Sequence, residues 1–358
     1  MPQQSPRDRA QAFCARFGLR LPILLAPMAG ACPPALSIAV ANAGGLGGCG
    51  ATLMQPKDIA DWVAAVRAKT NGGFQLNLWV PDPPPHRDPA AETAVRRFLA
   101  AWGPPAPEDA GDFAPPDFAA QCDAMLAARP AVVSSIMGLY PAPFVARMKA
   151  EGVAWFATVT TVAEAKRAVE AGADVIVAQG MEAGGHRGSF DQGYAEATMA
   201  GLFALLPAIV DAVEVPVVAT GGIADARGVA ACLVLGASAV QIGTGFLRAP
   251  EAALPSAWSD AIAAALPENT IVTRAFSGRA GRTYRTPYAL AASAPDAPKP
   301  APYPVQRGLT LAMRSAAAKS NSIDGMQAWS GQAGWLAEAR PASDIAQDLW
   351  RGAQALLP

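Results

Sequence analysis

A chain of 358 residues with 52% hydrophobic and 16% charged side chains can bury a large core, which excludes disorder and fits one large α/β domain plus an accessory piece. Its formal net charge of -1 gives no electrostatic reason to bind nucleic acid or an anionic membrane, so small molecules are the expected partners. No apolar run is long enough to span a bilayer, the polar segment 1–9 lacks a signal-peptide pattern, and Cys14, Cys32, Cys49, Cys122 and Cys232 lack metal-ligand or disulfide spacing, which together predict a cytoplasmic protein without a metal centre.

In chain order, residues 21–28 form a short apolar run without alternation, the pattern of a strand covered on both faces. A helix over 34–43 closes at Gly44-Gly45, and 46–51 is a second short strand. The 55–69 segment places Ile59, Trp62, Val63 and Val66 on one helical face, and 74–80 is the third strand. Residues 81–117 are Pro-rich and polar around one helix at 89–102, which reads as a surface insertion without a core of its own. Beyond it, helices over 118–129, 142–151, 161–171, 201–213 and 225–235 alternate with strands over 131–137, 154–160, 174–178, 215–220 and 239–243. Gly152, Gly172 and Gly236 each sit between a helix and a strand, where glycine relieves the left-handed turn.

Eight short apolar strands alternating with helices predict a parallel sheet, and eight is the number that closes a (β/α)8 TIM barrel. An open doubly wound sheet is the rival. Gly45-Leu-Gly-Gly-Cys-Gly50 matches the dinucleotide-binding letters, but that motif must follow a strand and open a helix. Here the glycines follow a helix and run across a strand, so they read as tight turns at the start of a barrel strand. The barrel is assigned to residues 1–250. Residues 251–358 break the alternation and predict a smaller, mainly helical second domain or lid. It has helices over 257–266, 305–318 and 342–357 and a linker-like tract over 295–304, and its last helix is expected to pack back on the barrel.

Barrel enzymes work at the carboxyl ends of their strands. Those ends carry Pro27 and Met28, Asn77, Ser134 and Ser135, Thr158, Gln179, the Gly184-Gly185-His186 loop, Thr220-Gly221-Gly222, and Gln241 with Gly243-Thr244. The last two clusters follow strands seven and eight, where glycine N–H groups commonly hold a phosphate and Thr220 and Thr244 can add hydroxyl donors; plain tight turns are the alternative. Amides and hydroxyls, with no carboxylate pair or lysine, suit the edge of an uncharged heterocycle such as an isoalloxazine ring, and a flavin brings redox chemistry that side chains lack.

His186, one of two histidines, is the candidate catalytic residue. It can sit beside an anion as a cation or take a proton from a weakly acidic carbon as a neutral base; the alternative is a histidine that only ties its loop. Arg187 either draws in an anion or is solvated or salt-bridged. Glu182 either orients its neighbours or is surface charge, and Tyr303 either reaches the pocket or simply packs. His86 is expected on an exposed loop. Arg274, Arg279, Arg282 and Arg285 are expected to face the flavin phosphate, an anionic substrate or nearby carboxylates, because the stacking aromatics of a nucleic-acid groove are missing.

Several stretches in one order resemble the nitronate monooxygenases, formerly called 2-nitropropane dioxygenases, of class I type. These are Ala26-Pro-Met-Ala-Gly30, Asn42-Ala-Gly-Gly-Leu-Gly47, Gln179-Gly-Met-Glu-Ala-Gly-Gly-His-Arg-Gly188, Ala219-Thr-Gly-Gly-Ile223, Gln241-Ile-Gly-Thr244, Phe276-Ser-Gly-Arg279 and Trp329-Ser-Gly-Gln332. The likeness runs from about residue 21 to 335 and implies an FMN enzyme on a barrel with a smaller second domain. The implied reaction is oxidation of alkyl nitronates, such as propionate-3-nitronate, by O2 to a carbonyl compound and nitrite through a one-electron step and a flavosemiquinone, serving nitroalkane detoxification.

The resemblance also implies that His186 is catalytic and that Met28, Asn77, Gln179, Gly184, Gly185, Gly222, Gly243 and Thr244 lie around FMN; the strand-end reading adds Pro27, Thr158, Thr220, Gly221 and Gln241. A monomer or homodimer is expected. Some relatives carry a second histidine in a Ser-Phe-His-Phe-Gly context where this chain reads Ser134-Ser-Ile-Met-Gly138, which bears on substrate range. Two other readings stay open: an FMN-dependent NAD(P)H reductase on the same scaffold, of enoyl-acyl-carrier-protein or quinone reductase type, and a non-enzymatic binder of a phosphorylated ligand.

Overall fold

The computed structural model describes residues 4–358, so the first three residues of the polar 1–9 segment lie outside the described residues. Among the described residues, eleven strands form two sheets. The first eight in sequence are β1 (Ile23–Leu25), β2 (Gly47–Gly50), β3 (Phe74–Trp79), β4 (Val132–Ile136), β5 (Ala154–Val159), β6 (Val175–Gln179), the two-residue β7 (Gly185–His186) and β8 (Val217–Thr220). They are followed by β9 (Ala239–Ile242), β10 (Thr270–Thr273) and β11 (Gly281–Tyr284).

All strands but β7, β10 and β11 pair in parallel in the order β1-β9-β8-β6-β5-β4-β3-β2. The ring closes where Leu46 N donates to Ile23 O at 3.0 Å and Leu25 N donates to Leu46 O at 2.8 Å. The TIM barrel expected from the alternation is therefore present.

Because side chains alternate across a strand, every second residue points into the ring. Low in the barrel these are apolar: Leu24, Val132, Phe156, Val175, Val177, Val218 and Ala239 form one buried cluster. One step further along the same strands the inward residues turn polar, giving Asn77, Ser134, Thr158, Gln179, Thr220 and Gln241. The intervening residues, such as Trp155, Ala157, Ile176 and Ile242, pack outward against the helices. The glycines of β2 have a steric cause: a Cβ at Gly50 would lie 2.6 Å from Ala29 N, so the chain leaving β1 could not pass this close to any other residue. The turn of the glycine run is confined to Gly44 and Gly45, and Gly47, Gly48 and Gly50 are strand residues in close contact.

Four features depart from the sequence reading. The segment read as a polar terminus contains the helix Pro6–Phe17, which starts on Ser5, whose hydroxyl accepts from Asp8 N, and ends in the left-handed Gly18. Its Phe13 and Phe17 reach Phe156 at ring separations of 6.1 and 5.0 Å and seal the amino end of the barrel.

The 81–117 insertion shares a separate small core. Val95 and Leu99, one helical turn apart in Pro89–Leu99, bury against Phe276, Tyr288, Leu309 and Met313. The region after residue 250 also carries an antiparallel sheet, in which β10 pairs with β11 and β11 with β7. The helix expected over 305–318 divides into Val305–Leu309 and Leu311–Lys319. The last helix, Ala342–Leu356, lies on Pro34–Ala43 and Ala226–Val234 and buries Ile345, Ala346 and Leu349 in the barrel's outer core.

Candidate active site

One cavity of about 360 Å³ opens at the carboxyl ends of the barrel strands, within the range of small-ligand sites. Pro27, Met28, Asn77, Thr158, Gln179, Gly184, Gly185, His186, Thr220, Gly221, Gly222, Gln241, Gly243 and Thr244 all line it. The polar step of the alternation thus forms its floor, and glycine turns form its rim.

His186 belongs to a loop held from both sides. β7 pairs with β11, opposing His186 to Gly281 and Gly185 to Arg282. On the barrel side, the Gln179 amide donates from Nε2 to His186 O at 3.1 Å and accepts from Gly188 N at 2.8 Å. Arg187 is only 2% exposed and donates from Nη1 to Gly180 O at 2.8 Å and Gln179 O at 3.3 Å. It is neither solvated nor ion-paired among the described residues, and burial lowers its guanidinium to about 10. Glu182 is accounted for as well: both its oxygens accept from Leu202 N, at 2.9 and 3.0 Å, capping the Leu202–Val210 helix.

The imidazole meets Ser277 Oγ through Nε2 at 2.7 Å. Trp79 and Trp329 pack on it in T-shaped contacts at 4.5 and 4.8 Å, and Tyr303 packs on Trp79 at 5.4 Å and lines the cavity. Burial, reinforced by the guanidinium charges of Arg279, Arg307 and Arg314, holds the imidazole well below its ordinary range. Burial and these charges therefore favour the neutral form of the imidazole.

At the rim after β8 and β9, Gly221 and Gly222 take φ of 110° and 68°. The N–H groups of Gly222 and Gly243 make no backbone hydrogen bond among the described residues. Thr244 Oγ accepts from Gly331 N at 3.0 Å and keeps its own hydrogen to donate. Thr220 differs from expectation: its hydroxyl already donates to Gln241 O at 2.8 Å and so is not a free donor. Gln241 Oε1 accepts from Gln75 at 3.0 Å, and Asn77 donates to Ser134 Oγ at 3.0 Å, so the floor is a pre-formed network. Of the other strand-end residues, Ser134 belongs to this inward network without lining the cavity, and Ser135 faces outward, accepting from Trp155 Nε1 at 2.9 Å.

The arginine cluster disperses. Arg279, 2% exposed, forms a two-pronged ion pair with Asp82 at 2.6 and 2.8 Å; Arg274 pairs with Glu196 at 2.7 Å; Arg282 donates to Met181 O at 2.9 Å; Arg285 is exposed. His86 is exposed, as expected. Sequence reasoning missed Ser277, Trp79, Trp329, Arg307 and Arg314. The two cavity arginines had a legible signal, since a spacing of seven in a helical stretch places both on one face. Ile136, at the place of the second histidine of some relatives, lines the cavity as an apolar wall.

The nitronate monooxygenase family model matches residues 12–352. The chain is 34% identical to a nitronate monooxygenase of Paraburkholderia phytofirmans, covering 95% of this chain and 94% of that protein. It is 35% identical to a probable nitronate monooxygenase of Staphylococcus aureus strain Newman, covering 93% and 94%. Among solved structures, a nitroalkane oxidase from Streptomyces ansochromogenes superposes with a TM-score of 0.86 at 33% identity, covering 96% and 98%. FabK from Thermotoga maritima superposes with a TM-score of 0.74 at 26% identity, covering 96% of both chains. On this shared length, fold and sequence, the chain belongs to the nitronate monooxygenase family of flavin-dependent oxidoreductases.

Proposed function

We propose that the protein is an FMN enzyme that oxidises alkyl nitronates with O2 to a carbonyl compound and nitrite, with His186 at the reacting carbon. The observation that carries this reading is a buried imidazole and two guanidiniums without carboxylate partners lining one cavity whose rim after β8 and β9 is built of glycine amides.

The donor set fits FMN. The Gly222 and Gly243 amides and the Thr244 hydroxyl suit a phosphate, and the Thr52 hydroxyl on the cavity wall is buried without a partner, as expected of a group that meets a ligand. Asn77 keeps its amide oxygen and one N–H for a heterocycle, and Gln179 keeps one N–H beside those that hold the His186 loop. When bound, FMN supplies one-electron redox chemistry towards O2 that no side chain here provides.

The chain's own residues do the rest. In the tautomer with hydrogen on Nε2, donated to Ser277, the Nδ1 lone pair of His186 can take the proton from a carbon next to a nitro group. That is the step a neutral nitroalkane needs and a nitronate does not. Arg307 and Arg314 supply the positive field for the anion, while Trp79, Trp329 and Tyr303 exclude water and strengthen that field.

The test is to mix the purified yellow protein with propionate-3-nitronate or ethylnitronate in air, measure oxygen uptake and nitrite, and assay NADH and NADPH oxidation in parallel. Nitrite release matched to oxygen uptake supports the reading. Rapid NAD(P)H oxidation without nitrite would replace it with a reductase, the direction in which the likeness to FabK points.

A further inference from the structure

The loop between β2 and the helix Pro56–Arg67 carries a polar group that the fold leaves alone. Thr52 is 6% exposed and lines the cavity, and its hydroxyl is buried with no hydrogen-bond partner among the described residues. Leu53, next in the chain, also lines the cavity and is partly open to solvent at its mouth. A buried hydroxyl without a partner costs free energy, and that cost is removed when whatever fills the cavity supplies the partner.

The backbone of the same loop is firmly tied. Ala51 N donates to Asn77 O at 2.9 Å, and Met54 N donates to Ala51 O at 2.9 Å. The carbonyls of Ala51, Thr52 and Met54 all accept from one side-chain amide, Gln121 Nε2, at 3.0, 3.3 and 2.8 Å. Gln121 is itself buried and projects from the helix Phe118–Ala127. Two N–H groups thus serve three carbonyls, and the loop cannot leave the wall without stranding those carbonyls.

The place of Thr52 around the ring decides what meets it. β2 pairs with β3, where Gly50 stands opposite Asn77, while β1 separates β2 from β9. Thr52 therefore belongs to the Asn77 side of the cavity and not to the glycine rim after β8 and β9 that suits a phosphate.

We propose that Thr52 hydrogen-bonds the heterocycle of bound FMN and that Gln121 is the positioning residue that holds it in place. This rests on the FMN reading above. A hydroxyl both donates and accepts, so it can serve a carbonyl oxygen, a ring nitrogen or an N–H at the edge of the ring. The contact gives the cofactor a fixed polar point on the β2 side in addition to the glycine rim on the β8 and β9 side.

The test titrates FMN into apoprotein freed of flavin, follows flavin fluorescence, and records the visible spectrum of the loaded protein. Thr52→Val keeps the shape and removes the hydroxyl; it is expected to raise the FMN dissociation constant about tenfold and to displace the flavin absorption bands. Thr52→Ser keeps the hydroxyl and should stay within about threefold of the wild type. The Thr52→Val apoprotein should melt no lower than the wild-type apoprotein, because the group removed had no partner there. Gln121→Leu should also weaken FMN, and the double variant should bind no worse than the weaker single one, as expected when one residue acts through the other. Circular dichroism verifies folding; should Gln121→Leu not fold, Gln121→Asn, with the same N–H donors on a shorter stem, takes its place.

Unchanged FMN affinity in Thr52→Val overturns the contact and leaves the FMN reading standing, whereas a wild-type apoprotein that refuses FMN removes both. Weaker binding with an unaltered spectrum overturns the assignment to the ring. A lower melting temperature of the Thr52→Val apoprotein reduces the residue to packing, and losses that multiply in the double variant overturn the role of Gln121.

Discussion

His186 Nε2 and Ser277 Oγ lie 2.7 Å apart although 91 residues separate them in the chain. Ser277 is fully buried, and its Oγ accepts from Arg279 N at 3.3 Å and can donate its hydrogen to Arg279 O at 3.4 Å, so a serine inside the β10–β11 connection favours an imidazole that carries its hydrogen on Nε2. Ser277→Ala is expected to lower kcat about tenfold, the scale of one lost hydrogen bond, with flavin content unchanged and the pH profile of kcat/KM displaced. Ser277→Thr should recover part of the rate. An unaltered pH profile in the alanine variant would reduce the serine to packing.

The assignment of His186 as a neutral base separates two substrates. In His186→Ala, oxidation of a neutral nitroalkane should fall by about 100- to 10,000-fold, because its carbon-bound proton loses its acceptor. Oxidation of the preformed nitronate should fall much less, and FMN should be retained. Steady-state oxygen uptake with both forms of one compound measures the difference; equal losses would argue against proton abstraction.

Acid should act on this imidazole through linkage. Its folded-state pKa lies below the unfolded value of about 6.5, so the folded protein binds fewer protons there than the unfolded chain does. The contribution is fully present above about pH 6.5 and is lost as pH falls from there towards the folded value. The thermal stability of the wild type should therefore fall, relative to that of His186→Asn, only below about pH 6.5. In kcat/KM, no limb from this residue should appear between about pH 6.5 and 8. A titration near 7 that vanishes in the variant would refute the neutral assignment.

Asp82 ties the 81–117 insertion to Arg279, which is 2% exposed and acts on His186. Asp82→Asn leaves that guanidinium buried and uncompensated, a change that costs about 3–5 kcal/mol. Urea unfolding of the variant should show a correspondingly lower midpoint. A loss well under about 1 kcal/mol would place the pair with ordinary surface ion pairs.

Gly184 passes under the 329–332 segment so closely that a Cβ there would sit 2.5 Å from Gly331 N and 2.7 Å from Ser330 C. Gly184→Ala should lift that segment, break the Gly331–Thr244 hydrogen bond and speed loss of FMN on dilution. Flavin fluorescence after gel filtration reads the outcome, and retention equal to the wild type would show the segment to be compliant.

Much of this architecture is local. Short, continuously apolar runs such as Val175–Gln179 and Val217–Thr220, punctuated by glycines at the helix ends, are enough to specify strands covered on both faces, their polar tips and hence one floor bearing Asn77, Thr158, Gln179 and Gln241. The loop carrying His186 is equally visible, since a glycine-rich stretch after a buried strand has few other uses.

The surroundings of that histidine depend on pairings that no local pattern encodes. The strand-like form of Gly185–His186 exists because Gly281 and Arg282 lie beside it, and a two-residue strand has no period of its own. Ser277, Trp79, Trp329, Arg307 and Arg314 come from four separate parts of the chain, and Asp82 cancels the charge of Arg279 but not that of the cavity arginines. A residue's period tells which face it occupies. Its protonation and its counter-ion follow from burial and from distances to residues remote in sequence, and those come into being only when the chain folds.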